Sequence, residues 1–384
     1  MTQKLYYLSS TVFDFTATVT SCSKTESGYN ITLSETAFFP ESGGQCCDTG
    51  VIGDAKVSYV FEKDNEILHT ANKEIAVGSH VKCSLDKKKR FRNMQNHTGE
   101  HIISGLVYKY FGYDNVGFHL GAENITCDFN GKLSRDDLLK IELEANQAVA
   151  KCSLVTAWFT SDDELSILDY RCKSEIEGAV RLVKIDGYDL CACCAPHVAN
   201  CGQIGLVKIL DFEAYKGGTR VNIKCGFDAL ADYNDKYFNV LKISALLSAK
   251  QNEVALAVEH LKQENDSLKL QLKQLNEKML RCVAKDFQYS KDVIIYKHND
   301  CNMNDLRILA DALADKTEKF AVAFHSIDDN CSFSAISRKS SLSFLSNELK
   351  NKYNARCGGR DNMLQGSIKM SEETFGELIR RIAL

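Results

Sequence analysis

The chain has 384 residues, of which 44% are hydrophobic and 26% charged, with a formal net charge of −4 at pH 7. This length predicts two or three domains, and the composition is ordinary for a soluble protein. The weak negative charge gives no support for nucleic-acid binding by the chain as a whole. No signal peptide and no membrane-spanning apolar stretch are recognisable, so the 16 cysteines predict reduced thiols in a cytoplasmic protein and not a disulfide framework.

The N-terminal region, residues 1–86, is predicted to form a small β-barrel domain. Short segments of alternating apolar and polar residues recur there, separated by Gly, Asp and Asn turns, as in small antiparallel barrels. These segments cover residues 15–21, 29–38, 57–61 and 81–85.

Residues 87–228 are predicted to form an α+β core. Apolar periodicity indicates a helix from residue 87 to about 110, and Ser134 opens a second helix with a capping-box sequence. Between them we expect a β-hairpin over 116–129, closed by Asn130-Gly131. Further strands are expected at 154–159, 180–185 and 204–212. Helices on a mainly antiparallel sheet make an α+β layer.

Residues 229–287 are predicted to form a long helix or coiled coil. Two apolar series of heptad spacing run through them, Val254, Leu261, Leu268, Leu275 and Val258, Asn265, Leu272, Met279. A seam of this kind with one buried Asn is typical of a coiled coil, here a homodimer through residues 240–280 or a hairpin. A helix packed on its own domain is the alternative. Residues 288–384 then alternate strands and helices, which predicts a compact α/β domain.

Two pairs of potential metal ligands stand out in a chain with only 9 His. His97 and His101 are four residues apart in a predicted helix, which places both imidazoles on one face. Cys193 and His197 are also four apart, in a loop punctuated by proline and glycine. Three imidazoles and one thiolate suit Zn²⁺ in a tetrahedral site. The pairs therefore predict a zinc site, in which Cys191 or Cys194 could replace Cys193.

Two other chemistries fit part of this pattern. Together with Glu100, the first pair also spells His-x-x-Glu-His, the inverted zinc-peptidase motif, in which Glu100 would activate a water. That alternative leaves Cys193 and His197 without a role. A Cys–His nucleophile dyad, in turn, leaves His97 and His101 unexplained.

Two basic clusters and a glycine motif complete the candidates. Cations in the first turn of a helix oppose its dipole, which favours a phosphate-binding role for Lys87, Lys88, Lys89 and Arg90. Near the C-terminus, Gly358 and Gly359 leave the backbone open to close approach. Two cations, Arg356 and Arg360, flank them. Gly43-Gly44 also allows a close backbone approach, with hydrogen-bonding groups nearby at Thr36, Gln45 and Asp48.

Taken together, these segments resemble the free-standing alanyl-tRNA editing proteins (the AlaX family, long form) and the editing domain of alanyl-tRNA synthetase. Residues 36–50 are similar to the family's T-x-F-Y-P-x-x-G-G-Q-x-x-D-x-G. The two ligand pairs and Gly202-Gln-Ile-Gly205 match its other motifs. Residues 357–366 are similar to the Gly-rich motif of the DHH-associated domain at the C-terminus of the synthetase. The departures are Cys194-Ala195-Pro196, where Gly-Gly-Thr or Cys-Gly-Thr is usual, and Phe39 in place of Tyr.

The resemblance implies a zinc-dependent hydrolase that deacylates mischarged tRNA(Ala). Seryl-tRNA(Ala) is the expected substrate, with glycyl-tRNA(Ala) as the second, and Thr36 and Gln45 are the expected recognition residues. The departures affect the shape of the amino-acid pocket and leave the ligands in place. The N-terminal region is too short for an aminoacylation core, so the protein is not expected to charge tRNA. A zinc peptidase and a non-catalytic tRNA-binding protein with structural zinc are the alternatives.

Overall fold

The structure is a computed structural model that describes residues 2–26, 28–122, 124–172, 179–299 and 301–384. It divides into two compact units, Met1–Lys242 and Ile243–Leu384. Both contain helices and sheets, so the mixed α+β class is confirmed. In the part of the chain that is described, no helix combines the length and the apolar character needed to cross a membrane.

The first unit begins with a closed barrel of six strands in the order β2-β3-β7-β6-β5-β8. Neighbouring barrel strands are antiparallel, while β1 and β4 form a separate parallel pair. Apolar side chains that alternate along the strands fill the interior, among them Ile31, Leu33, Ile52, Val57 and Ile67. The strands are β1 (Gln3–Lys4), β2 (Asp14–Thr25), β3 (Gly28–Leu33), β4 (Glu35–Thr36), β5 (Gly50–Ile52), β6 (Ala55–Lys63), β7 (Glu66–Ala71) and β8 (His80–Leu85).

The rest of the first unit is built around the helix α1 (Lys87–Phe111). The Asp86 side chain caps its start, Gly112 in the left-handed region ends it, and every residue from Asn93 to Val107 is buried. Two sheets, β14-β15-β10-β9 and β11-β12-β13, complete this core. The elements are β9 (Asn115–Leu120), β10 (Ile125–Phe129), α2 (Arg135–Ala150), β11 (Val155–Phe159), α3 (Asp162–Leu165), β12 (Arg181–Ile185), β13 (Asp189–Ala192), β14 (Val207–Tyr215), β15 (Gly218–Cys225) and α4 (Phe227–Leu247).

Local signals for this core were partly right. The capping box at Ser134 is confirmed, with Ser134 and Asp137 each bonded to the other's backbone. The expected closure of a hairpin by Asn130-Gly131 is wrong, because β9 and β10 pair across the turn between Leu120 and Ile125. Asn130 instead follows β10, where its backbone N–H donates to the Asp114 carbonyl.

The segment expected to be a long helix or a coiled coil, as a homodimer or a hairpin, contains two helices. The helix α4 ends at Leu247 and α5 (Val254–Lys285) follows a short 3₁₀ turn. Ser248 adopts a positive φ of 50°, and the Ala249 backbone N–H donates to the Ser244 carbonyl, which closes the end of α4. Along α5 the apolar heptad positions are exposed, including Leu261, Leu268, Leu272, Leu275 and Met279.

The second unit holds a five-stranded sheet in the order β16-β17-β18-β20-β19, in which only β16 and β17 are parallel. Apolar residues cover both faces, with one cluster around Phe333 and Phe375 and another around Leu309 and Ala323. The elements are β16 (Ile294–Lys297), α6 (Met303–Ala314), β17 (Ala321–Ile327), β18 (Asn330–Ile336), α7 (Ser343–Tyr353), β19 (Arg356–Arg360), β20 (Met363–Lys369) and α8 (Glu372–Ala383).

Candidate metal centre

The four predicted ligands come together in the first unit. One donor atom from each of His97, His101, Cys193 and His197 lies within 4.8 Å of every other. The Cys193 Sγ is 3.6 Å from the Nε2 of His97 and 3.4 Å from the Nε2 of His197. In a tetrahedral zinc site, Zn–N distances of about 2.0 to 2.1 Å and a Zn–S distance of about 2.3 Å separate N from S by about 3.5 Å. The donor set therefore fits zinc in both chemistry and spacing.

Two elements fix these side chains. His97 and His101 lie on one face of the buried part of α1, as their spacing predicts. Cys193 and His197 follow β13 in a loop that Arg181 supports, because its Nη1 donates to the carbonyls of Cys193 at 2.9 Å and Ala195 at 3.0 Å. A buried arginine from β12 thus holds the loop that carries half of the ligand set.

Each histidine has a hydrogen-bond partner at its Nδ1 atom. The partners are Gln45 Oε1 for His97 at 2.7 Å, Asp189 Oδ2 for His101 at 2.9 Å and Thr98 Oγ1 for His197 at 3.0 Å. The Gln45 and Asp189 oxygens only accept, which assigns the proton of His97 and His101 to Nδ1 and leaves their Nε2 lone pairs free for a metal. The Thr98 hydroxyl, which can accept or donate, orients the His197 ring.

Asp189 is the charged member of this outer layer. Its carboxylate also accepts from Arg171, Nε to Oδ1 at 2.7 Å and Nη2 to Oδ2 at 2.9 Å. Burial opposes the charged form, but the hydrogen bond from His101 and the charge of Arg171 hold the pKa of Asp189 below its ordinary value. A carboxylate that stays ionised increases the basicity of the imidazole to which it is bonded.

Burial controls the protonation of the ligands. It lowers the pKa of His197 well below its ordinary value, and His101 and His97 act in the same direction, so His197 is a neutral donor. Burial, with the neighbouring Cys194 and Cys191 thiols, raises the pKa of the Cys193 thiol. A bound cation reverses that effect, because a coordinating thiol is deprotonated.

The glycine motif delivers Gln45 to this centre. Gly44 has a φ of +80°, and a Cβ there would lie 2.2 Å from the Phe118 carbonyl oxygen, so only glycine fits. The next residue then pairs with Leu120 of β9 and reaches His97. The Gln45 Nε2 is buried and has no hydrogen-bond partner among the described residues. This amide is a donor beside His97, a candidate metal ligand.

A cavity of about 410 Å³ opens onto three of the four candidate ligands, His97, His101 and Cys193. Tyr7 and Arg181 are among its lining residues that the sequence analysis did not predict. The Tyr7 ring packs edge-on against Phe159 at 5.1 Å and lies 5.4 Å from the Arg181 guanidinium. Burial raises the pKa of Tyr7 to about 12, so its hydroxyl is a donor at neutral pH. Sequence offered one hint, the charged Arg181 at the head of an apolar strand. The lining also includes Ser42, Gly43, His97, His101, Cys191, Cys193 and Cys194.

Three predicted residues are not among the lining residues of this cavity. Gln45 is fully buried and lies behind His97, to which it is hydrogen-bonded. Thr36 is buried and is not among its lining residues, because the hydroxyl pairs with His69 Nε2 at 2.8 Å and accepts from the Phe38 backbone N–H. The expected phosphate contact of Arg90 is corrected, since the guanidinium is fully buried and bonded to Asp48.

The other predicted tRNA contacts are accessible. Lys87 and Lys88 are exposed and Lys89 is half-buried in the first turn of α1. In the second unit the edge strand β19 presents an exposed backbone and two exposed arginines, at Arg356, Gly358, Gly359 and Arg360.

The competing ligands and the peptidase motif lie close to the cluster. The Cys194 Sγ lies 3.5 Å from the Ser42 hydroxyl, Cys191 groups with His101 and Asp189, and both cysteines line the cavity. Glu100 is buried, and its Oε1 accepts from Ser104 at 2.7 Å and from the Asn115 amide at 2.5 Å. Its Oε2 lies 3.9 Å from the His101 Nε2, but Glu100 is not among the described lining residues of the cavity, where a water-activating base would have to lie.

Comparisons with known proteins agree with the two units. A family profile described as the second additional domain of threonyl and alanyl tRNA synthetases matches residues 180–222, and a DHHA1 domain profile matches 290–383. The alanyl-tRNA editing protein AlaX-L of Pyrococcus horikoshii is 24% identical over 100% of this chain and 98% of its own length. The alanyl-tRNA editing protein AlaX-M of Methanosarcina mazei is 34% identical over 54% of this chain and 90% of its own length.

A synthetase also aligns with most of the chain. Alanine–tRNA ligase of Thermofilum pendens is 29% identical over 73% of this chain, but over only 32% of its own length. Among solved structures, the C-Ala domain of Aquifex aeolicus alanyl-tRNA synthetase is 20% identical and covers 25% of this chain and 91% of that domain, with a TM-score of 0.21. That score is too low to support a statement about the fold.

Proposed function

The chain belongs to the family of free-standing alanyl-tRNA editing proteins, and we propose that it hydrolyses the ester of mischarged tRNA(Ala), with serine as the main amino acid removed and glycine as the second. The observation that carries this proposal is the cluster of four donors with a hydrogen-bonded oxygen behind each histidine. We place the reaction in the cytoplasm, where tRNA is charged and where thiols such as Cys193 stay reduced.

The metal proposed for the cluster is Zn²⁺, held by His97, His101, Cys193 and His197. When bound, zinc supplies a Lewis acid for the ester carbonyl or a positive charge that holds the terminal ribose. The protein supplies the rest of the site. Tyr7 presents a protonated hydroxyl to the cavity, and Arg181 keeps the ligand loop in place. The ester bond is thereby oriented in a half-enclosed space with donors on two sides.

Selection of serine is proposed to depend on hydrogen bonding to its hydroxyl. A site built around such a bond rejects the analogue that lacks the hydroxyl by roughly 10⁴ to 10⁵, because the donor is then left unsatisfied in a buried position. Gln45 is the candidate, since its Nε2 is buried beside His97 with no partner among the described residues. Thr36 acts indirectly, through its bonds to His69 and to the backbone of the same motif.

Binding of tRNA is proposed to use both units. Lysines of the first turn of α1 contact phosphates near the ester, and the Gly-rich edge strand β19 contacts phosphates elsewhere on the tRNA. We also propose that two copies pair through the exposed apolar seam of α5, in which Asn265 sets the register.

The test of the metal centre is metal content together with hydrolysis of seryl-tRNA(Ala). His101→Ala and Cys193→Ala should each lose the zinc and the activity, while Cys194→Ala, the matched control, keeps both. Full zinc retention in the first two variants would overturn the ligand assignment. If the wild-type protein retains zinc but hydrolyses no seryl-tRNA(Ala), the result would support the alternative of a non-catalytic tRNA-binding protein with a structural zinc.

Glu100→Gln separates editing from the peptidase alternative. The Glu100 Oε1 is held by Ser104 and Asn115, and Glu100 is not among the described lining residues of the cavity although its Oε2 lies 3.9 Å from the His101 Nε2, so deacylation should stay within about tenfold of wild type. Loss of a general base costs about 10² to 10⁴-fold. A thousandfold loss with zinc still bound would support the peptidase motif and contradict our assignment.

A further inference from the structure

A second, larger cavity in the first unit has no role in the chemistry above. It lies at the N-terminal end of α1, has a volume of about 1040 Å³, and we name it the aromatic groove. Its lining includes three aromatic rings and three lysines, at Phe13, Phe91, Phe227, Lys87, Lys88 and Lys89. This volume is enough for a ligand of nucleotide size.

One ring of the groove, Phe227, is largely exposed, while Phe91 packs partly against the core of the first unit. Phe227, the first residue of α4, is 65% exposed. Its ring centroid lies 6.5 Å from that of Phe91, with an angle of 50° between the planes. An exposed aromatic face next to a second ring is the surface on which an unpaired base stacks.

The charges of the groove favour an anion. Arg92, also in the lining, is paired with Asp228 at 2.8 Å, and Lys87 with Asp14 at 2.7 Å. Lys88 and Lys89 form no ion pair with any residue that the structure describes. Two unneutralised cations therefore border an apolar wall, the combination that binds a base and its phosphate at the same time.

We propose that the aromatic groove binds an unpaired nucleotide from the single-stranded 3′ end of the tRNA. Its base stacks on Phe227 and Phe91, and its phosphate lies at Lys88 and Lys89. The groove and the metal centre share α1, and Phe91 precedes His97 by six residues, about 9 Å along the axis and about 120° around it. Two to three stacked nucleotides at about 3.4 Å each cover the axial part of this separation. The inference rests on the proposed function, because it takes tRNA as the substrate.

The test is binding of uncharged tRNA(Ala) to the full chain, with and without the unpaired 3′ nucleotides. Phe227→Ala should weaken binding of the complete tRNA by roughly ten- to a hundredfold, the cost of a lost base–aromatic stack. Binding of the shortened tRNA should not change. Phe238→Ala, an equally exposed ring on the same helix outside the groove, is the control and should bind as wild type.

Two further variants separate stacking from simple apolar contact. Phe227→Leu should lose as much affinity as Phe227→Ala, whereas Phe227→Trp should restore it, because leucine lacks a π-face. Lys88→Gln and Lys89→Gln should each reduce the slope of log K against log salt by about 0.7, the single-strand value, while Phe227→Ala leaves the slope unchanged.

The outcomes distinguish this inference from the proposed function. The binding assay uses no ester, so it reads the groove whether or not the metal centre hydrolyses seryl-tRNA(Ala). The inference would be overturned if Phe227→Ala weakened binding of the complete and the shortened tRNA equally, or changed the affinity for neither. The inference would also be overturned if an acidic peptide bound the groove equally well in Phe227→Ala and in wild type while complete tRNA did not bind it. That result would assign the lysines to a protein partner.

Discussion

The residues behind the ligands decide whether the cluster holds a metal. His97, His101 and His197 are oriented by an amide, a carboxylate and a hydroxyl, and the amide and carboxylate oxygens select the Nδ1–H tautomer of His97 and His101. The spacing of the histidines was visible in the sequence, because a helix places i and i+4 on one face. The partners were not, since Asp189 lies 88 residues from His101 and only the fold brings the two together.

Asp189→Asn tests this outer layer. The change keeps the shape of the side chain but removes the charge that faces His101 and Arg171. Zinc affinity should fall by about ten- to a hundredfold, the usual effect of removing such a partner. A chelator competition titration measures it, with Asp186→Asn, at an exposed carboxylate on the same hairpin, as the control. Unchanged affinity in Asp189→Asn would contradict the role given to the carboxylate.

His69 makes the stability of the barrel depend on pH. Burial lowers its pKa to about 4 from the ordinary 6.5, although the bond to the Ile31 carbonyl opposes this shift. The unfolded chain therefore binds more protons between pH 6.5 and 4, so stability that is complete above pH 6.5 is lost as the pH falls through this window. The loss should reach about 3 kcal/mol.

Urea unfolding of the first unit across that pH range measures the effect. His69→Gln should show a flatter acid limb than wild type, and the difference isolates His69 from His197, which acts with the same sign. Parallel acid limbs in the two proteins would show that His69 is not the responsible group.

At the scale of elements, local signals predicted the structure where the cause is local. The capping box at Ser134 and the helix that begins at Lys87 depend on residues within one or two turns. The hairpin predicted over 116–129 pairs as β9 and β10, but its closing turn was wrong, because Asn130-Gly131 is a good turn sequence in isolation while the sheet pairs Leu120 with Ile125. The heptads begin at Val254, so they gave no signal for the end of α4, where Ser248 has a positive φ.

The seam of α5 carries a prediction of its own. Leu261→Glu with Leu268→Glu places charges on the exposed apolar face without touching the buried core. If two copies pair through this seam, sedimentation should give half the wild-type mass, because like charges would face each other at d positions. Glu259→Gln with Glu264→Gln, changed outside the seam, is the control. A wild-type chain that sediments as a monomer would refute the pairing.

At the scale of the whole molecule, the sequence predicted the family and the order of the domains, but it did not predict the cavity. The family resemblance covered both units, and the relatives confirm it. The order of the domains followed from changes in periodicity along the chain. The cavity at the candidate metal centre did not, because Tyr7 lies far along the chain from Arg181 and Cys193, which share one hairpin, and only the packed fold brings the three together.

The most direct test of the account is the rate of release of serine from seryl-tRNA(Ala), compared with release of alanine from alanyl-tRNA(Ala). The account predicts zinc-dependent hydrolysis of the serine ester, a preference in kcat/KM of roughly 10⁴ to 10⁵ over the alanine ester, and no cleavage of a peptide panel. Gln45→Ala should reduce that preference. Equal rates on the two esters, or undiminished hydrolysis by metal-free His101→Ala, would contradict it.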